Sequence, residues 1–214
     1  MSDNLIITIS RQFGSGGREI GKLLASDLNV AYYDKDIIKR CAKESGIDEK
    51  VFENAEEIAN NSLIYSLSTG LFSQYGSTIT PVNMSIGDRI NQVQSQIIRE
   101  IADKGPCVIV GRCSNYVLKK YPKCVNVFIK ANIEKRLNRV INEYNYDKNT
   151  GKSVIRKVDR RRASYYSCYA EGAWGDQENY DLIIDSGVIG INGSVKVIKT
   201  FIEDFNKDTT LTNK

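Results

Sequence analysis

ITISRQFGSGGREIGKLL, residues 7–24, decides the fold of this chain. A β-branched apolar run, Leu5–Ile9, passes into a loop holding Gly14, Gly16 and Gly17. From Arg18 onward the apolar residues Ile20, Leu23, Leu24 and Leu28 recur at helical spacing. Strand, glycine-rich loop and helix in that order bring backbone N–H groups together on an anion, because the glycines permit both the turn and a close approach. A phosphate site is one reading and a tight strand-to-helix turn is the other. The loop is not a GxxxxGK[ST] sequence. At the usual distance from its strand, Gly17 stands where the lysine belongs; a slip of one puts Arg18 there and Glu19 in the Ser/Thr position. Arg18 then brings charge with a different reach. Glu19 either holds a metal through water or is an acidic residue suited to a first helical turn.

Outward from the loop, Val30–Tyr33 reads as a second strand and completes a βαβ unit. Asp34 is placed to cap the next helix, whose apolar positions Ile37, Ile38, Cys41 and Ala42 end at Gly46. Helices over Glu49–Leu67 and Ile86–Ala102, separated by Ser68–Ser85, form an insertion. Strands follow at 107–111 and 125–131, a helix at Ile133–Tyr144, a basic helix from Ser153 to Tyr169, and a fifth strand at 182–185. A last helix has Asn192 as its cap and apolar positions at Val195, Ile198, Ile202 and Phe205. Strands alternating with helices predict a three-layer α/β/α fold with a mainly parallel five-stranded sheet. Ligands of such folds lie beyond the carboxyl ends of the strands, which directs attention to the loops after Ile9, Tyr33, Val110 and Ile184.

Composition narrows the chemistry. With 214 residues, a net charge of +4 and no histidine, the chain is expected to form one domain, and His-dependent triads, shuttles and metal sites are excluded. Phosphoryl transfer survives that exclusion, since it depends on positioning and positive charge. Five cysteines without a CxxC spacing fit neither a disulfide framework nor a zinc site. With no signal-peptide pattern and no apolar run of spanning length, the expectation is a cytoplasmic protein that engages no membrane.

Four places carry candidate charges. Asp34 ends a strand, and Arg40 lies nearly two turns into the following helix; the alternative is a cap and a surface cation. Arg112 directly follows a buried strand. In IRKVDRRRASYY (155–166), Arg156 and Arg160 share a helix face, and Asp159 and Arg162 are i,i+3 neighbours. Such a cluster clamps phosphate oxygens, or is a solvated face. Tyr165, Tyr166, Tyr169 and Trp174 nearby are expected in the core rather than on a base.

Taken together, ITISRQFGSGGREIG, YYDKD, VIVGR, DRRRASYY and ENYDLIIDSG resemble the cytidylate-kinase-like branch of the P-loop nucleoside monophosphate kinases, over about residues 5–206. The resemblance implies a P-loop kinase-like domain with a helical acceptor-binding insertion at 46–105 and a helical lid at 147–178. It implies transfer of the γ-phosphoryl group of ATP to CMP or dCMP, with Mg²⁺. Arg11, Gly14, Ser15, Gly16, Gly17, Arg18 and Glu19 would form the donor-phosphate loop. Arg18, Arg160 and Arg162 would offset transition-state charge. Asp34, Arg40, Arg112 and Asp159 would belong to the acceptor side, and no metal ligand is assigned. Three departures accompany the match: the Walker lysine and Ser/Thr are replaced, Arg11 stands for the loop's first glycine, and Val110 stands for the aspartate of DGR. A nucleotide-binding protein without turnover, or a kinase with another small acceptor, is therefore the alternative; nucleic acid is a poorer partner.

Overall fold

Five strands, all parallel, lie in the order β2-β3-β1-β4-β5 in the computed structural model, which describes residues 4–55 and 85–211. They are β1 (Ile6–Arg11), β2 (Ala31–Tyr33), β3 (Cys107–Val110), β4 (Cys124–Lys130) and β5 (Leu182–Asp185). The helices are α1 (Gly17–Leu28), α2 (Asp36–Ser45), α3 (Glu49–Glu53), α4 (Ile86–Lys104), α5 (Ser114–Val117), α6 (Ile133–Asn142), α7 (Gly151–Tyr169) and α8 (Ser186–Leu211).

Central β1 is buried from Ile6 to Ser10, Thr8 and Ser10 included, because both its faces are covered. Side chains alternate across it. Ile7 and Ile9 enter a core with Ile20 and Leu24 of α1, Val108, Val127, and Ile198 and Ile202 of α8. Ile6 faces the opposite core, formed by Ile37 and Cys41 of α2, Ile97, Ile98 and Ile101 of α4, and Tyr165 and Tyr166 of α7. Three layers result, and register pairs Ile9 with both Val110 and Val127, so the loops after β1 and β3 open side by side.

Two expectations are corrected. Asp34 does not cap α2: Lys35 holds that position without a side-chain cap bond, since the Asp34 carboxylate turns into an ion pair described below. The last helix begins at Ser186 rather than after Asn192; it breaks at Gly190 (φ 71°) and resumes. Of the helix expected over 49–67, the turns Glu49–Glu53 are formed, and residues 56–84 lie outside the described residues. The helix expected from Ile86 extends to Lys104 and is capped by the Ser85 hydroxyl, which accepts from the Asp88 amide at 3.1 Å. Of the four aromatics expected in the core, Tyr165 and Tyr166 are buried there, and Tyr169 and Trp174 are partly buried and pack against it.

Candidate active site

The loop from Gln12 to Gly16 is fixed by its carbonyls. Five successive carbonyl oxygens, Arg11 to Ser15, each accept a hydrogen bond: from Arg162 (2.9 Å), from the Ser15 hydroxyl (2.9 Å), from Arg136 Nε (2.8 Å), from Arg139 (3.0 Å) and from the Ser186 hydroxyl (2.5 Å). Of the loop's own amides, those of Gln12, Phe13 and Ser15 are bonded as well, to the Ile129 carbonyl, the Asp159 carboxylate and the Gln12 carbonyl. Gly14 and Gly16 sit at φ 79° and 80°, a left-handed conformation that favours glycine. A Cβ on Gly14 would also lie 2.8 Å from the Arg136 carbonyl oxygen. At Gly16, the N-cap of α1, no side chain caps the helix, so the Gly17, Arg18 and Glu19 amides begin it without intrahelical acceptors. Uncapped helix N-termini of this kind favour negative charge.

Above the loop is a cavity of about 290 Å³, bounded by Arg11 to Gly14, Gly16 to Arg18, Tyr144, Tyr146 and Arg162. The Arg162 guanidinium also stands 5.8 Å from the centre of the Phe13 ring. Tyr144 and Tyr146 pack on Phe13 at 5.7 and 5.9 Å between ring centres. Asp159 of the same helix bonds the Phe13 amide (2.7 Å) and pairs with buried Arg136. Helices α6 and α7 thus grip the loop from outside.

Arg18 is not aimed free into the cavity: its Nε meets Asp34 Oδ2 at 2.5 Å. Arg11 approaches the other oxygen, Oδ1, at 3.9 Å, and Oδ1 is buried without a hydrogen bond. Burial, with the Asp34 charge adding to it, pushes the Tyr32 hydroxyl up to about 12. Glu19 accepts from the Tyr144 hydroxyl at 3.0 Å, and its Oε2 is buried without a hydrogen-bond partner. Burial first and Glu19 second raise the Tyr144 hydroxyl above its ordinary range.

A second group of charges lies toward α2. Arg40 reaches Glu44 at 4.0 Å. Arg112 follows β3 at φ 61°, beside Cys113 at 52°, with its Nε buried and lacking a hydrogen bond. Burial pushes the Cys41 thiol up to about 11, and the charges of Arg112 and Arg40 both pull against that rise. The structure therefore gathers Arg11, Arg18 and Arg162 at the loop, and sets Arg40 and Arg112 toward α2. Asp159 joins the loop group, not the second, and Arg160 is exposed.

Sequence reasoning passed over Arg136, Arg139, Tyr144 and Ser186. Arg136 and Arg139 look like a solvated helix face; only their i,i+3 spacing hints at a shared target.

The model of the cytidylate kinase-like family matches residues 6–188, the span that holds this site. The chain belongs to the cytidylate kinase-like family. It is similar to the cytidylate kinase of Methanocaldococcus jannaschii, with 27% identity over 209 residues, 95% of this chain and 100% of that protein. Among solved structures it is similar to an uncharacterized protein from Eubacterium ventriosum (TM-score 0.69, 26% identity, 94% of this chain and 99% of that one). It also shares the fold of the shikimate kinase from Bacteroides thetaiotaomicron (TM-score 0.51, 14% identity, 93% and 98% covered). Within the family's P-loop kinase fold, the cradle of amides and arginines fits a polyphosphate. No helix among the described residues is long and apolar enough to cross a membrane.

Proposed function

We propose that this protein is a nucleoside monophosphate kinase that transfers the γ-phosphoryl group of ATP to CMP or dCMP. One observation carries the proposal: a loop tied through its carbonyls leads into the uncapped first turn of α1, beside a cavity lined by Arg11, Arg18 and Arg162. Donor phosphates lie on the amides of that turn, and Arg162, anchored to the loop, stabilises charge on the transferring group. Arg160 joins it when α7 and the segment around it, residues 147–178, move over a bound nucleotide and exclude water. Arg40 and Arg112 orient the acceptor phosphate, and the insertion at 46–105 completes the acceptor side. Asp159 acts here through the loop, by fixing Phe13 and Arg136.

Mg²⁺ fits the site through the donor phosphates, since it keeps several waters and needs few protein ligands. Among the described residues no three acidic or thiol groups cluster. Glu19, with its unbonded Oε2, is the carboxylate at the loop able to meet the ion directly or through water. When bound, the ion offsets charge between the β- and γ-phosphates.

The test is an ADP-release assay over a panel of acceptors, beside thermal shifts with each nucleotide. ADP release with CMP or dCMP is the expected result. Stabilisation by ATP without turnover would make the chain a nucleotide-binding protein, and turnover only with another acceptor would reassign the substrate.

A further inference from the structure

The two departures in the phosphate loop are physically one. In GxxxxGK[ST] the lysine follows the second glycine. Here α1 starts at Gly17, after left-handed Gly16, so residue 17 holds the lysine's place and Arg11 the first glycine's. A Cβ on Gly17 would lie 2.5 Å from Arg11 Cβ and 3.0 Å from Arg11 Cγ. The stem of Arg11 therefore fills the volume in which a side chain at residue 17 would begin. Beyond Gly17 the guanidinium lodges against Gly111, where an added Cβ would overlap it, and approaches Asp34 Oδ1 at 3.9 Å. The side chain is only 12% exposed, yet Arg11 lines the cavity with Gly14, Gly16 and Arg162.

Arg18, the expected substitute, is 50% exposed and committed to Asp34 through Nε. Arg11 enters from the strand, at the junction between the loop and the end of β3. We propose that Arg11 performs the phosphate-holding task of the missing lysine, that Gly17 is glycine because the Arg11 stem crosses it, and that Gly111 is glycine because the guanidinium ends there. Asp34 orients that guanidinium, with Arg18 holding the carboxylate's other oxygen. A planar guanidinium meets two phosphoryl oxygens through a fixed fork of parallel N–H groups, where an ammonium acts as a point charge. This rests on the ATP-binding part of the kinase proposal and assigns its principal cation.

The experiment is calorimetric titration of ATP into Arg11→Gly, Gly17→Lys, the double variant and Arg11→Lys, each checked for its thermal midpoint. Arg11→Gly and Gly17→Lys are each expected to weaken ATP binding at least about tenfold, one by losing the cation and the other by a clash of stems. The double variant is expected to bind more tightly than either, because lysine then has both its place and its space; such non-additivity marks a direct coupling. ATP affinity of Arg11→Gly equal to wild type, or a double variant no better than its weaker parent, would overturn the assignment. If Arg11→Gly does not fold, Arg11→Lys keeps the stem and decides: about tenfold weaker binding at an unchanged thermal midpoint supports the role, and unchanged binding overturns it. A wild type that binds ATP through Arg11 but releases no ADP with any acceptor keeps the assignment and defeats the kinase proposal.

Discussion

The glycine-rich loop, proposed to hold the donor, and the arginines toward α2, proposed to hold the acceptor, differ in how their backbone and side chains are tied. Around the loop, every carbonyl from Arg11 to Ser15 has a donor, and α6, α7 and α8 each contribute at least one. Toward α2, Arg40 has a carboxylate at 4.0 Å and Arg112 buries an unbonded Nε on a left-handed backbone. The cost of shaping the donor site is met during folding, by packing and buried ion pairs. Buried atoms without a hydrogen bond occur at both places, Glu19 Oε2 and Asp34 Oδ1 by the loop and Arg112 Nε toward α2, but only Arg112 adds a left-handed non-glycine backbone, which under the proposed function an anionic acceptor helps to hold. Specificity for the acceptor then rests on few contacts, and this is where relatives of one fold diverge in substrate.

The sharpest way to break this contrast is Gly14→Ala. Its φ of 79° and the backbone oxygen 2.8 Å from the new Cβ leave no room, so kcat/KM is expected to fall at least about a hundredfold, with ATP affinity falling alongside. Near-normal ATP titration would mean the loop is not rigid. Arg162→Ala follows: turnover is expected to drop at least about tenfold with ATP affinity little changed, because its contact strengthens in the transition state. An unchanged kcat would remove it from the chemistry.

Asp159→Ala separates support from chemistry. Its partner Arg136 is 8% exposed on the side chain and would be left with a buried charge, so stability is expected to fall by about 3 kcal/mol in denaturant unfolding. Arg40→Ala is the counterpart on the other side. Its expected effect is a rise of about tenfold in acceptor KM, with ATP affinity and unfolding midpoint unmoved, because it is held by little in the free protein. A large loss of stability there would erase the contrast.

A further effect comes with alkaline pH and touches the core, not the site. Burial pushes the Cys41 thiol to about 11 and the Cys107 and Cys124 thiols to about 12, against an ordinary 9. Between about pH 9 and 12 the unfolded chain loses these protons first, so the native state binds more protons and stability falls as pH rises. Below pH 9 the three thiols contribute no slope. Unfolding midpoints across that range check the sign, and Cys107→Ala should flatten the fall.

What was legible in the sequence follows local chemistry. The strands, the loop and the α/β alternation declare themselves through β-branched runs, glycines and helical spacing. Arg162 was legible because a basic cluster on one helix needs an anion or solvent. The Asp34–Arg18 pair was not, since a strand-end aspartate before a helix reads as a cap until the loop that supplies its partner is folded beside it. Arg136 and Arg139 stayed hidden for the same reason: their targets are carbonyls more than a hundred residues away. The relation of Arg11 to Gly17 needed coordinates, because two departures from a motif look independent until one stem is seen to occupy the other's space.

Phosphorus NMR of the protein with ATP, Mg²⁺ and CMP tests the central claim most directly. The γ-phosphate resonance of ATP is expected to fall to an equilibrium level as the β-phosphate resonances of ADP and CDP grow one for one with its loss. A γ-phosphate that does not diminish, or that is lost only to inorganic phosphate, would contradict the kinase proposal.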